Sequence, residues 1–341
     1  MEELRGKTLV ELEALVQRAG FQGYRARQIH QWLYRRDARS FDEMSNIPAD
    51  LRSWLASQYQ IGGVKIEEIL RDADGAQKIL FGLNDGLRVE GVLMPKEHRW
   101  TLCISSQAGC SLDCRFCLTG KIKLRRNLTA AEIIDQVQSV RREILKNQPI
   151  TNLVFMGMGE PLLNMDNLIP ALRLLTAPDA VGIPTRRITV STAGIIPGIR
   201  ALAAARTGVN LAVSLGAPND KTRSALMPIN KKYPLAELIK ACREFPLENR
   251  RHITFEYTLL KDVNDSEEDL RRLIQLVSSI RCKINLLCFN EDDRLPFKAS
   301  PPETVERFRS HLDAKGFNVA VRYSMGRGIK GACGQLAANY L

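Results

Sequence analysis

Apolar positions over residues 1 to about 60 recur at helical spacing, first in VELEALVQRAG and again in RARQIHQWLYRRDARSF, where Ile29, Trp32 and Leu33 mark one apolar face. From about 63 to 95 the period shortens. VKIEEILR, AQKILFGL and LRVEGVLM read as short strands, and the DADG and NDG between them suit hairpin turns. Beyond residue 100, strands and helices alternate. TLCIS, NLVFMG, RITVS, NLAVSL, ITFEYTLL, KINLLCF and NVAVRY are near-continuous apolar runs, as expected of strands buried on both faces. Helical patterns separate them, among them SEEDLRRLIQLVSSI and TAAEIIDQVQSVRREIL, which opens on a capping box from Thr129 to Glu132. Repeated βα units imply a parallel sheet. The predicted class is α/β, a partial (β/α) barrel of TIM type over 99–341, preceded by a helical domain over 1–60 and a β-hairpin extension over 61–98.

Length fits this division, since 341 residues accommodate a barrel of roughly 200 to 250 residues and a smaller domain. Lys plus Arg number 49 against 38 Asp plus Glu, and the net charge of +11 favours a polyanionic partner such as nucleic acid. Arg25, Arg27, Arg35, Arg36 and Arg39 make the helical module basic. It reads either as an RNA-contacting domain or as a helical cap with solvated arginines. No apolar run approaches the roughly 18 residues of a membrane span, and MEELRGKTLVELEALV has no uninterrupted apolar stretch of the kind that directs export. A cytoplasmic protein without membrane contact is expected. Eight cysteines, four of them between Cys103 and Cys117, then fit a metal cluster in a reducing cytosol better than a disulfide framework.

In a barrel, chemistry collects at the C-terminal ends of the strands, and the candidate motifs fall there. Cys110, Cys114 and Cys117 in GCSLDCRFCLTG follow TLCIS. Their C-x3-C-x2-C spacing presents three thiolates from one loop and leaves one iron of a 4Fe-4S cluster open, whereas such clusters are otherwise closed by four cysteines. Zinc would favour paired C-x2-C units and a fourth protein ligand. The spacing is the signature of radical-SAM enzymes, whose open iron chelates the amino and carboxylate groups of S-adenosylmethionine.

GMGEP follows NLVF. Gly157 and Gly159 let backbone approach a ligand closely, and Glu160, before Pro161, offers a carboxylate to the ammonium of the cofactor's methionine part. STAG, LGAPND and FNEDD follow later strands, so Ser191, Ser214 and Asn290 are candidate polar contacts to the cofactor. Near the C-terminus Cys333 lies between Gly331 and Gly334, on what reads as a flexible exposed loop; a thiolate is well suited to attack a methyl sulfonium. Cys103 lies seven residues before Cys110 and can approach Cys333 only in the folded chain. Cys242, Cys282 and Cys288 sit in apolar patterns and read as inert buried thiols.

LRVEGVLMP, TLCISSQAGCSLDCRFCLTG, FMGMGEPLLN, RITVSTAG, LAVSLGAPND, MPINKKYP, FEYTLLKDVND and RGIKGACGQL together resemble the RlmN/Cfr family of radical-SAM RNA methyltransferases, in matching order over nearly the whole chain. The resemblance implies that Cys110, Cys114 and Cys117 hold the cluster. Gly159, Glu160, Ser191, the segment Ser214, Leu215 and Gly216, and Asn290 would bind S-adenosylmethionine. Cys333 would take a methyl group from one molecule of it, and a 5′-deoxyadenosyl radical from a second would abstract hydrogen from that methyl. The carbon radical adds to an adenine carbon that is too poor a nucleophile to attack a sulfonium. Glu90 matches the base that removes the ring proton, and Cys103 the thiol that expels Cys333 through a transient disulfide bond. Expected partners are large-subunit (23S) rRNA, tRNA and an electron donor such as a flavodoxin or ferredoxin, and the chain is expected to act as a monomer.

The chain departs from the family pattern in places. Gly216 stands where the family has histidine, Gly328 and Lys330 fall in a segment that the family fills with acidic residues, and Leu118 replaces a small polar residue after the cluster motif. The expected product is an adenine methylated at carbon 2. The alternatives are carbon 8, as in the Cfr branch, a different RNA target, a radical-SAM enzyme acting on a small molecule, and a non-catalytic iron-sulfur RNA-binding protein. The presence of Glu90, Cys103 and Cys333 argues against a mere binder, which needs none of them.

Overall fold

Ten apolar runs become one sheet whose strand order follows the chain: β1 (Val64–Arg71), β2 (Gln77–Leu83), β3 (Arg88–Lys96), β4 (Arg99–Cys103), β5 (Asn152–Phe155), β6 (Ile188–Thr192), β7 (Asn210–Ser214), β8 (Ile253–Leu259), β9 (Cys282–Cys288) and β10 (Asn318–Arg322). The structure is a computed structural model that describes residues 1–146, 148–248 and 250–336; the end of the unit expected over 99–341 lies outside the described residues. Strands β1 to β4 pair antiparallel, and β4 to β10 pair parallel. The hairpin strands are therefore continuous with the barrel sheet, because β3 pairs with β4 from Val92↔Cys103 to Lys96↔Arg99.

Parallel neighbours need crossover connections, which the helices supply. They are α4 (Ala130–Ser139), α5 (Met165–Thr176), α6 (Ile196–Ala204), α7 (Asp220–Leu226), α8 (Leu235–Glu244), α9 (Glu267–Val277) and α10 (Pro302–Ala314), numbered after three in the N-terminal module. The capping box read from the sequence is present at α4, where Thr129 and Glu132 each accept the other's backbone amide. A π-helical turn over Val140–Ile144 continues this helix. Among the described residues no helix is long and apolar enough to cross a membrane.

The N-terminal module comprises α1 (Leu9–Arg18), α2 (Tyr24–Tyr34) and α3 (Ala49–Gln58). Leu12, Val16, Ile29, Leu33, Leu51 and Leu55 are buried between them. Trp32 is only half-buried and donates its indole N–H to Asn46 at 2.6 Å. The module is fastened along α4. Arg5 is buried against Asp135, and the Gln138 amide donates to the Tyr34 carbonyl at 3.0 Å. Thr129 donates its hydroxyl to Glu3 at 2.6 Å.

Strands β1 and β10 are the two edges of the sheet. The chain after β10 returns to the β1–β2 turn, where Asp74 and Asp72 accept the amides of Gly326 and Gly328 at 2.8 and 2.9 Å. A Cβ added at Gly328 would stand 2.9 Å from a carboxylate oxygen of Asp72. An acidic side chain at 328 would thus crowd a like charge, which gives the glycine a structural reason.

Candidate active site

The ends of β5 to β9 and the loop after β4 open onto one cavity. Cys110, Cys114 and Cys117 line it together with Gly159, Glu160, Ser191, Ser214, Asn290 and Cys333. Residues more than 200 positions apart in the chain are thereby gathered at the C-terminal ends of parallel strands, where a βα fold concentrates chemistry.

The cysteine loop is shaped by its own backbone. The Cys117 amide donates to the Cys114 carbonyl at 3.1 Å, and the Cys110 amide to the Ile122 carbonyl at 3.1 Å. Burial pushes the Cys110 thiol up to about 12 and Cys114 well above its ordinary value, and the neighbouring cysteines add to both shifts. Neutral thiols crowded in this way would give up their protons on binding a cationic group, which is the chemistry of metal ligands. Among the described residues no three His, Cys, Asp or Glu side chains are grouped to hold a single metal ion.

Glu160 is held by the backbone around it. One carboxylate oxygen accepts the Leu162 amide at 3.0 Å and the other the Ala193 amide at 2.7 Å, while its own amide donates to Gln107 at 2.8 Å. Burial pushes its carboxyl up to about 7, so a ligand cation at this spot would be met by a desolvated acid. Gly159 has φ +94°, and a Cβ there would lie 2.4 Å from Cβ of Gln107. Glycine is required here to bring the GMGEP turn against the cysteine loop.

Cys333 faces the same cavity. Its loop is tied down by the Leu118 amide donating to the Gly334 carbonyl at 2.8 Å, the Asn290 side chain donating to the Cys333 carbonyl at 3.2 Å, and the Thr119 hydroxyl donating to the Leu336 carbonyl at 3.1 Å. The residue is exposed, yet its thiol points among protein groups and is pushed well up by burial, then by Glu256, Cys103 and Cys117. The flexible loop expected from Gly331 and Gly334 is thus an anchored one. Lys330 is held 3.7 Å from Asp292.

Four expected site residues do not line the cavity. Leu215 and Gly216 turn their backbone elsewhere: the Leu215 carbonyl accepts from Arg223 at 2.8 Å and the Gly216 carbonyl from Asn264 at 2.7 Å. Gly216 has φ +68°, and an added Cβ would lie 2.5 Å from the Met227 sulfur, so a side chain is strained where the family has histidine. Cys103 is 7% exposed on β4, with its thiol pushed up to about 12 by burial. Glu90 is 1% exposed on β3 and sits 3.4 Å from the Lys78 ammonium of β2. The surface carboxylate that its residue type alone suggests is instead a buried ion pair. Cβ of Lys78 lies 3.5 Å from the Cβ position of Gly331, which brings this pair beneath the Cys333 loop.

The disulfide bond expected transiently between Cys103 and Cys333 is not formed in this structure. All eight cysteines are free thiols, Cys103 and Cys333 included, and burial favours the neutral, unreacted form of both. The reading of Cys288 as an inert core thiol also needs correction. It is half-buried at the end of β9 and lines the cavity, because that strand ends where the site begins.

Glu256 was not anticipated. It lies within the apolar run ITFEYTLL, is buried, lines the cavity and accepts the Ser191 hydroxyl at 3.1 Å, and burial raises its carboxyl. A charged residue inside an otherwise apolar parallel strand was the available clue. Arg223 was missed as well. Fully buried, it donates to the carbonyls of Leu215 at 2.8 Å and Ala193 at 2.6 Å and to Asn230 at 2.7 Å, binding the ends of β6 and β7 together beneath the site.

Comparison with known proteins agrees with this geometry. The model of the radical SAM superfamily matches residues 104–274, and that of the ribosomal RNA large subunit methyltransferase N-terminal domain matches residues 2–61. The chain is 48% identical to a dual-specificity RNA methyltransferase RlmN of Geotalea uraniireducens, covering 98% of this chain and 96% of that one. It is 49% identical to the RlmN of Geobacter sulfurreducens, over 98% and 92%. The crystal structure of a radical SAM methyltransferase from Sphaerobacter thermophilus superposes with a TM-score of 0.93 at 42% identity, covering 99% of this chain and all of that one. With both family models matched and relatives of this similarity spanning nearly its whole length, the chain belongs to the RlmN family of radical SAM RNA methyltransferases.

Proposed function

We propose that this protein methylates carbon 2 of an adenine in large-subunit rRNA, and of an adenine in tRNA, with Cys333 as the covalent carrier of the methyl group. The observation that carries the reading is that Cys333 shares one cavity with the three cysteines of the radical-SAM motif and with Glu160. The relatives named RlmN and described as dual-specificity RNA methyltransferases support RNA as the substrate.

Cys110, Cys114 and Cys117 fit a 4Fe-4S cluster better than a single ion, since a polynuclear cluster takes one thiolate per iron and its ligands need not converge on one point. A cluster bound there would supply the electron for reductive cleavage of S-adenosylmethionine, the chemistry that activates the methyl group held on Cys333. Glu160 orients the methionine ammonium of that cofactor, and Ser191, Ser214 and Asn290 offer hydroxyl and amide contacts around the same cavity. Leu215 and Gly216 contribute through the turn they form, which Arg223 and Asn264 hold in place.

Cys333 loses its thiol proton as its sulfur attacks the methyl carbon of the sulfonium, forming a thioether and releasing S-adenosylhomocysteine. After the carbon radical on the Cys333 sulfur has joined the adenine, the adduct would give up one electron, which a bound cluster could accept, and Glu90 would take the ring proton. The Cys103 thiol would then lose its proton and attack the Cys333 sulfur, the sulfur–carbon bond would break, and the freed carbon would take a proton to become the methyl group; the two cysteines would stay joined until the reductant supplies two electrons. Lys78 compensates the Glu90 charge inside the sheet. A reductant of the flavodoxin or ferredoxin type, a monomeric state and a cytoplasmic location complete the proposal.

Nucleoside mass spectrometry tests it. Cluster-reconstituted protein, incubated without oxygen with rRNA or tRNA, reductant and methyl-deuterated S-adenosylmethionine, is expected to yield labelled 2-methyladenosine. Labelled 8-methyladenosine would reassign the carbon. RNA methylation by a Cys333→Ala protein would overturn the covalent route.

A further inference from the structure

We propose a second RNA-binding site, away from the catalytic cavity: a groove between α2 and the turn at Pro178 and Asp179 that seats backbone phosphates through Arg27, Arg35 and Arg36. It rests on the reading of RNA as the partner and adds where the strand is held.

The five arginines noted in the helical module do not behave alike. Arg25 donates to Gln28 at 2.9 Å and to the Asn46 carbonyl at 3.0 Å, and Arg39 pairs with Glu143 at 3.5 Å. Arg27, Arg35 and Arg36 have no carboxylate partner among the described residues, as Arg25 has none, but these three line one groove with His30, Gln31 and Asp179. Arg27, Gln31 and Arg35 follow each other at i, i+4 and i+8, which stacks them along one face of α2. On the opposite face Ala26, Ile29 and Leu33 are buried in the core. The arginine row is therefore fixed to a rigid element.

Two of the guanidinium groups are also held in place. Arg36 lies 4.3 Å over the Trp32 ring, and Arg35 donates to the Pro178 carbonyl. A positioned guanidinium keeps donors for the oxygens of a phosphodiester. Three arginines face a single acid, Asp179, so the groove keeps a positive balance. The aromatic ring that lines it, that of His30, is only 4% exposed and offers a base little face to stack on, unlike the walls of grooves that bind single strands by their bases. Its chemistry is that of backbone positioning, without base selection. One wall belongs to the N-terminal module and the other to the turn after α5, so the site exists only when the two are docked.

Binding of a labelled tRNA transcript to the full-length protein, measured over a series of salt concentrations, tests this. The Arg27→Gln/Arg35→Gln/Arg36→Gln variant should bind roughly tenfold or more weakly, and its log–log salt slope should fall by about two, as expected when two to three phosphate contacts are lost. Replacing the same three with lysine should restore most of the slope. An Arg271→Gln/Arg272→Gln control on α9 should leave it unchanged. Equal affinity and slope for wild type and the triple glutamine variant would overturn the groove while leaving the catalytic reading in place. Absence of any RNA binding by the wild type would overturn the groove together with RNA as the partner. Thermal unfolding of each variant confirms folding, and the exposed positions of the three arginines make loss of the fold unexpected.

Discussion

The amide of Leu118 donates to the carbonyl of Gly334 at 2.8 Å. This bond joins the residue after the third motif cysteine to the residue after Cys333, so the two chemically active loops are one structural unit. Leu118 is fully buried, and its apolar side chain suits a position that serves the unit through its backbone. The loops hold each other, and a change in one is felt by the other.

Asn290 is part of the same unit, because its side chain donates to the Cys333 carbonyl at 3.2 Å and to the Ser324 hydroxyl at 2.9 Å. Asn290→Ala should slow methylation of Cys333 by about tenfold, in line with the roughly 1–2 kcal/mol of a lost hydrogen bond to a buried group. Single-turnover labelling of the protein checks this. The unfolding midpoint should move little.

Arg223 should matter to stability more than to chemistry. Arg223→Ala leaves the carbonyls of Leu215 and Ala193 and the side chain of Asn230 without their donor, and a cost of about 3–5 kcal/mol is expected. Arg223→Lys should rescue only a minor part, since one ammonium cannot reproduce the spread of the guanidinium donors. Denaturant unfolding of the three proteins measures both.

Gly216 in the left-handed region predicts that Gly216→Ala destabilises by about 1–3 kcal/mol, combining backbone strain with the clash against Met227. Gly216→His, which introduces the residue of the family pattern, should be no better tolerated. A Gly216→His protein with an unchanged unfolding midpoint would show that Met227 gives way freely.

Burial pushes the Glu3 carboxyl up to about 7, against an ordinary value of 4.5. The folded state then holds a proton that the unfolded chain has released. The contribution is fully present below about pH 4.5 and lost as pH rises through 7. Since Glu3 accepts a hydrogen bond from Thr129, the loss is felt at the seam between the N-terminal module and α4. Glu3→Gln should stabilise the protein at pH 8 by about 1–2 kcal/mol, discounted for partial solvent access, and much less at pH 5. Unfolding curves at the two pH values decide it.

Much of this fold was legible because parallel strands buried on both faces leave unbroken apolar runs, and every run named from TLCIS to NVAVRY became a strand. The cysteine motif and GMGEP were legible because their spacing is local. What escaped depends on long-range pairing. No local pattern announces that β3 joins β4 to make the hairpins the edge of the barrel sheet, or that Asp72 and Asp74 receive the segment preceding Cys333. Cys288 looked inert because its run is apolar, and only the point where β9 ends places it on the cavity. The sequence could count the arginines of the N-terminal module, but Arg35 meets Pro178 and Arg39 meets Glu143 on distant elements, so which of them share a groove was not readable.

The most direct test of the central claim is mass spectrometry of the peptide that carries Cys333, taken from cluster-reconstituted protein after incubation with methyl-deuterated S-adenosylmethionine in the absence of RNA. A single labelled methyl group on the Cys333 sulfur is the predicted result. An unmodified Cys333 in a preparation that still methylates RNA would contradict the account.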